Sequence, residues 1–203
     1  MKNRHLLAYG FALASGLLLA DERVRVALVV EFPASVPETT RAAMEQEVRQ
    51  SVAVEWLGIQ WLESRQYDPG LPYDRVVMIK VKGHCRAGDA ELGSRHTSLG
   101  FTHVSDGRVL PFIEIDCDRV SQAIQRKVFP AGTLAPGPAL GRALGRVAGH
   151  ELYHALAETR EHGSHGIAQP HFGEKELLVA PMLLAPGDQL RIEAQVLPAR
   201  GTE

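Results

Sequence analysis

The sequence predicts an α+β domain in which a mixed, twisted sheet backs a largely buried helix, and three observations point there. Short β-branched apolar runs alternate with a stretch of helical spacing in the first half of the chain. An Asp106-Gly107 pair between two such runs marks a hairpin. Farther on, residues 139–159 place apolar side chains around more than one helical face, which describes a helix buried inside a fold. The chain has 203 residues, 45% hydrophobic and 23% charged. That is enough for one sizeable core, and a single domain over residues 21–203 is expected.

The elements follow in order. Arg23 to Glu31 (RVRVALVVE) is β-branched and apolar, a strand buried over most of its length. Pro33 and Pro37 end it. From Glu38 to about Val52, Ala43, Met44, Val48 and Val52 recur at helical spacing with charges between them, the pattern of an amphipathic helix on a sheet. Val54 to Leu62 suits a second strand, with Trp56 and Trp61 serving the core. Tyr67 to Pro72 is a loop by its turn residues, and Arg75 to Val81 is a third strand. Gly83 to Ser98 is a polar excursion. Leu99 to Val104 and Val109 to Ile115 flank the Asp-Gly turn as antiparallel partners. Asp116 or Asp118 can cap a helix that runs to about Phe129, because a carboxylate there accepts free backbone N–H groups. A Pro/Gly loop spans Pro130 to Pro138, and the buried helix follows. After Thr159 the chain turns polar and histidine-rich. From Lys175 it shows short apolar runs broken by Pro181, Pro186 and Gly187.

Residues 1–20 differ from the rest. Met1 to His5 is basic, Leu6 to Ala20 is apolar and uncharged, and Asp21-Glu22 follows. The stretch is shorter than the roughly 20 residues a spanning helix needs, so it is expected to be a removed signal peptide, cleaved after Ala14 or Ala20. The mature chain would then be secreted or periplasmic, with no stable membrane span. Cys85 and Cys117 are the only cysteines, and in an oxidising compartment they could form one disulfide or remain two buried thiols. A formal net charge of -2 offers no broad basic field, which argues against nucleic acid as a partner.

His150-Glu151-Leu152-Tyr153-His154 matches H-E-x-x-H inside the buried helix. A spacing of four sets both imidazoles on one face, one turn apart, within reach of a single metal ion. Glu151 falls beside them, where a carboxylate can take a proton from water that a metal has made acidic. A catalytic zinc usually takes three protein ligands, and the nearby options for the third are His162, His165 and His171. A continued helix would put His162 about 12 Å along the axis from His154. The chain must therefore reverse after about Thr159, with Gly163 and Gly166 available for the backbone angles this needs. Tyr153, a turn away from the direction of His150, is expected to pack, and His84 and His103 are expected to be surface or structural.

The segment HELYHALAETREHGSHGIAQPHF resembles the active-site region of the zincin metallopeptidases, especially the metzincins. In that group H-E-x-x-H is followed by a turn that delivers a third histidine and then by a methionine-containing turn beneath the metal. Gly166 to Phe172 is similar to that second turn, with Ala168 where methionine is expected and Met182 available farther along. The resemblance covers about residues 149–172 and departs from the family in two further respects: His162 comes eight residues after His154 rather than six, and no glycine stands between them. It implies a zincin-like fold, Zn2+ as cofactor, His150, His154 and His162 as ligands, and Glu151 as general base. It also implies that the sheet edge near the cleft, here Leu99 to Val104 or its hairpin partner, would receive a peptide by strand addition. The expected activity is that of a secreted zinc metallopeptidase acting on peptide or protein substrates. The alternatives are an exported metal-binding module without catalysis and a zinc hydrolase acting on another class of substrate.

Overall fold

The computed structural model describes residues 23–85, 98–128, 137–179 and 181–197. The expected signal peptide, residues 86–97 of the polar excursion, and Phe129 with most of the Pro/Gly loop lie outside these. In chain order the elements are β1 (Val24–Glu31), α1 (Glu38–Ser51), β2 (Leu57–Glu63), β3 (Arg75–Lys82), β4 (Gly100–Ser105), β5 (Arg108–Asp116), α2 (Cys117–Val128), α3 (Gly137–Leu156), α4 (Glu174–Leu178) and α5 (Pro186–Val196).

The strands form one five-stranded sheet in the order β2-β1-β3-β5-β4. β1 pairs in parallel with β2 and β3, and β3 in parallel with β5, whereas β4 is antiparallel to β5. The mixed sheet is therefore as expected, and β4 rather than its hairpin partner is the edge. Asp106 and Gly107, at φ of 49° and 77°, make the two-residue turn between paired Ser105 and Arg108, the geometry an Asp-Gly pair favours. β1 is buried on both faces, which explains its unbroken apolar run. Val24, Val26, Leu28 and Val30 join the main core. Ala27 and Val29 pack on the other face with Leu62, beneath Tyr67, Tyr73, Val76 and Met78.

α3 is the centre of the molecule, and glycine lets α1 lie close to it. Gly137, Gly141, Gly145 and Gly149 recur every fourth residue along one face. A Cβ on Gly141 would stand 2.4 Å from the Thr40 carbonyl oxygen, and one on Gly145 2.8 Å from that of Met44. Any side chain at these positions would push the helices apart. Arg146, buried in the same face, donates from Nε to Glu47 of α1 at 2.8 Å, so the charge is paired where it is removed from water.

Three features differ from the sequence expectation, and the structure selects one of the two caps it offered. β2 starts at Leu57, not Val54, because the chain first turns at residues 54–56, where the Leu57 N–H bonds the Val54 carbonyl. Asp116 is the helix cap, accepting the Arg119 N–H at 3.0 Å, while Asp118 accepts the backbone N–H of His84. α5 fills a stretch that apolar patterning left as broken runs; Pro186 opens it as the first helical residue, where a missing N–H costs nothing. α3 ends at Leu156, three residues short of Thr159, with consequences for the site. Cys85 and Cys117 form a disulfide with their Cα atoms 4.7 Å apart, tying the segment after β3 to the first turn of α2.

Candidate metal centre

His150 and His154 leave α3 one turn apart, and their Nε2 atoms lie 3.2 Å from each other. Each ring is fixed from behind. His150 Nδ1 is 2.9 Å from the Ile167 carbonyl oxygen and His154 Nδ1 is 2.9 Å from that of Thr159. A carbonyl only accepts, so both Nδ1 atoms carry the proton and both Nε2 atoms present lone pairs. Burial lowers the pKa of both histidines, His150 to about 4, and both are therefore neutral at pH 7.

His162 completes the set: the ligand atoms of His150, His154 and His162 all lie within 4.8 Å of one another. Two facing, unprotonated nitrogens 3.2 Å apart repel unless a cation lies between them. Nitrogens each about 2.0–2.1 Å from a tetrahedral zinc would stand about 3.3 Å apart. The donor set thus fits zinc, with backbone carbonyls orienting two rings as supporting groups do in metal sites.

The reversal that brings His162 back is built without glycine. Thr159 N–H bonds the His154 carbonyl at 3.2 Å, and Glu158 takes φ of 47°, the left-handed position that glycine commonly fills at a helix end. The chain leaves the helix axis at Ala157, so a spacing of eight from His154 to His162 suffices. A non-glycine residue in this conformation costs about 1–2 kcal/mol. Glu158→Gly is therefore expected to raise stability by roughly 0.5–1 kcal/mol, once the entropy glycine loses on folding is offset. Equal or lower urea midpoints at matched metal content would contradict the assignment.

The turn at Gly166 to Ala168 lies beneath the histidines. Ile167 and Ala168 are fully buried, and Ile167 packs on Gly149, whose Cβ would meet its Cγ1 at 3.2 Å. Gly166 adopts φ of 71° and brings the turn against Leu183, whose carbonyl accepts the Ile167 N–H at 3.0 Å. Met182, the alternative for the methionine position, instead lines a cavity with Ala43, Arg142 and Arg146.

Glu151 is 7% exposed and faces β4. The Thr102 hydroxyl lies 2.8 Å from its Oε2 and 2.9 Å from its carbonyl oxygen. Burial raises the Glu151 carboxyl to about 7, hydrogen bonds from Thr102 opposing the rise. Gly100 allows the approach: a Cβ there would stand 2.7 Å from Val147 Cγ1 and 3.4 Å from Glu151 Cγ. A cavity of about 440 Å3 contains His150, Glu151, His154 and His162 in its lining, with Leu99, Phe101, Val147 and Phe172 supplying apolar wall. The edge strand therefore borders the candidate centre.

The other sequence candidates are placed elsewhere. His165 is exposed and bonds Ser164 through Nδ1, and His171 lines the cavity but stands outside the histidine group. Tyr153 is fully buried, its hydroxyl accepting from Arg191 at 3.0 Å. His103 pairs with Glu114. Thr102 and the carbonyls of Thr159 and Ile167 were not anticipated. Thr102 is 49 residues from Glu151, and no spacing rule connects them.

No protein-family model matches this sequence, and no curated protein sequence matches it. Among solved structures the chain is similar to peptidases and their kin at low identity. One is archaemetzincin from Methanopyrus kandleri, at 11% identity and a TM-score of 0.49, covering 88% of this chain and 98% of that one. Another is a zinc-dependent peptidase from Methanocorpusculum labreanum (strain Z), at 7% identity and a TM-score of 0.47, covering 83% and 98%. At TM-scores below 0.5 these likenesses carry no weight for function, which rests on the residues above.

Proposed function

We propose that the protein is an exported zinc metallopeptidase in which His150, His154 and His162 hold the metal and Glu151 is the general base. The observation that carries this reading is the set of three converging histidines beside a buried carboxylate, all within one cavity bordered by a sheet edge. When bound, zinc supplies Lewis acidity, which makes water a nucleophile near neutral pH and polarises a carbonyl. Glu151 takes the proton from attacking water and later delivers it to the leaving amine. A carboxyl whose pKa lies near 7 suits both directions of transfer. Thr102 holds that carboxylate in place, and the free side of β4 offers backbone groups to an extended peptide.

Among the described residues the metal-holding group contains three histidines and no fourth ligand. That favours a catalytic centre over a closed structural one, which takes four. Export is supported by the Cys85–Cys117 disulfide, since such bonds persist in oxidising compartments, together with the basic-then-apolar N-terminus.

The test uses protein purified from the extracytoplasmic fraction of an expressing cell. Intact mass is expected to show a start after Ala14 or Ala20 with the disulfide formed. Metal analysis is expected to show about one zinc per chain, and an unstructured protein substrate should be cut in a chelator-sensitive manner. Zinc-loaded protein inactive on broad peptide libraries would refute the peptidase assignment; an unprocessed cytoplasmic chain would refute export.

A further inference from the structure

We propose that Arg160 selects substrates by binding a peptide carboxylate, so that this site prefers acidic residues or a free chain terminus near the scissile bond. The inference rests on the peptidase reading and names its substrate class. It begins with the loop between the second and third histidines. Thr159, just before Arg160, is held at three points: its N–H bonds the His154 carbonyl at 3.2 Å, its own carbonyl accepts His154 Nδ1 at 2.9 Å, and its hydroxyl accepts the Glu161 N–H at 3.1 Å. The backbone on both sides of Arg160 is thus pinned to the candidate metal centre. Its side chain is not.

Arg160 is exposed and lines the same cavity as the three histidines. Among the described residues it makes no ion pair or side-chain hydrogen bond. The acidic neighbours do not neutralise it: Glu161 lies 3.9 Å from Arg191 of α5, and the next acid, Glu158, forms no ion pair with it. Of the described residues lining the cavity, Arg160 is the one lysine or arginine and Glu151 the one acid. The Glu151 carboxylate is taken up by Thr102 at 2.8 Å. The cavity therefore presents a permanent guanidinium with its donors unused, in a lining that it shares with Gly100, Phe101 and Thr102 of β4. A guanidinium offers a planar fork that matches a carboxylate in two parallel hydrogen bonds. A substrate lysine at the same place would meet like charge, so discrimination has a repulsive side as well.

The experiment separates recognition from turnover. Peptides of one sequence carrying Glu, Gln or Lys at successive positions, each with a free or an amidated C-terminus, are assayed for hydrolysis by the zinc-loaded wild type. Their binding is measured to the zinc-loaded Glu151→Gln protein. Glutamate or the free terminus is expected to improve kcat/KM and affinity about fivefold over the neutral form, a size typical of a partly exposed charge pair. The two arms show which carboxylate is read. Arg160→Gln should flatten the preference, and Arg160→Glu should reverse it in favour of lysine, both with wild-type zinc content. Absence of a carboxylate preference, its persistence in Arg160→Gln, or loss of zinc from either variant would overturn the proposal. Selective binding without any hydrolysis would leave Arg160's role standing and refute the peptidase reading, whereas hydrolysis without selectivity would do the reverse.

Discussion

Glu151→Gln is expected to lower hydrolysis by at least about 100-fold while zinc content stays unchanged, since a positioned proton acceptor is worth roughly 100- to 10,000-fold. The amide keeps the shape of the carboxyl and can still accept the Thr102 hydroxyl, but it cannot take a proton from water. The same replacement should stabilise the metal-free protein, and the sign of the pH dependence identifies the cause. Burial raises the folded carboxyl to about 7 against an ordinary value of 4.5. Below pH 4.5 the group is protonated both folded and unfolded, and its burial carries no ionisation penalty. As pH rises from 4.5 to 7 the unfolded chain ionises first, so the stability associated with the protonated carboxyl is progressively lost. Above 7 the loss is complete, at roughly 3 kcal/mol. Urea unfolding of the metal-free forms should therefore show the variant ahead of wild type by about that amount at pH 8, with little difference attributable to ionisation at pH 4. His150, whose pKa is lowered to about 4, acts in the opposite sense, losing stability as pH falls from 6.5 toward 4. It is present in both proteins and largely cancels. A stability gap independent of pH would show that the buried charge is not its origin.

His162→Ala is expected to weaken zinc binding by well over 100-fold, whereas His165→Ala should leave it near the wild-type value. Loss of a supporting hydrogen bond to a ligand already costs about 10- to 100-fold, and removing a ligand nitrogen should cost more. His162 brings its ligand atom within 4.8 Å of those of His150 and His154; His165, three residues later, bonds Ser164 instead. Competition against a metal-chelating dye at fixed pH measures both affinities. Equal losses, or a loss confined to His165→Ala, would reassign the third ligand. Fixed pH matters because His150 and His154 must be neutral to bind, although their lowered pKa values keep protons from competing in the neutral range.

Glu158 shows how a chain reversal can be built without the glycine that commonly ends a helix. The two additional residues and the absent glycine make the reversal after His154 look unlike the metzincin pattern. Yet Glu158 accepts a strained backbone angle, and the bond from Thr159 to the His154 carbonyl satisfies a helix-end group that would otherwise be unpaired. Ala168 stands where the methionine would, and it is the carbonyl of neighbouring Ile167 that holds His150. The support comes from backbone, which leaves side-chain identity there less constrained.

Features governed by neighbours in sequence were legible without coordinates. Asp106-Gly107 specifies its turn because both residues tolerate positive φ. A spacing of four brings His150 and His154 together because a helix repeats every 3.6 residues. The runs of β1 and β3 are apolar because the sheet interior excludes water. Features that depend on distant segments were legible only in part: the resemblance pointed to His162, and a disulfide was one of two alternatives for the cysteines, but local pattern decided neither. The choice of His162 over His165 follows from a helix that stops at Leu156 and a loop pinned by Thr159. The proximity of Cys85 to Cys117, the docking of α5 and the bond from Thr102 to Glu151 join residues tens of positions apart. Local propensity has a range of a few residues, while the partner that satisfies a buried carboxylate or imidazole is chosen by packing. The pair of proposed ligands and the adjacent proposed base thus belong to the motif itself; the position of the proposed third ligand, the orientation of the rings and the proton affinity of Glu151 belong to the fold around it.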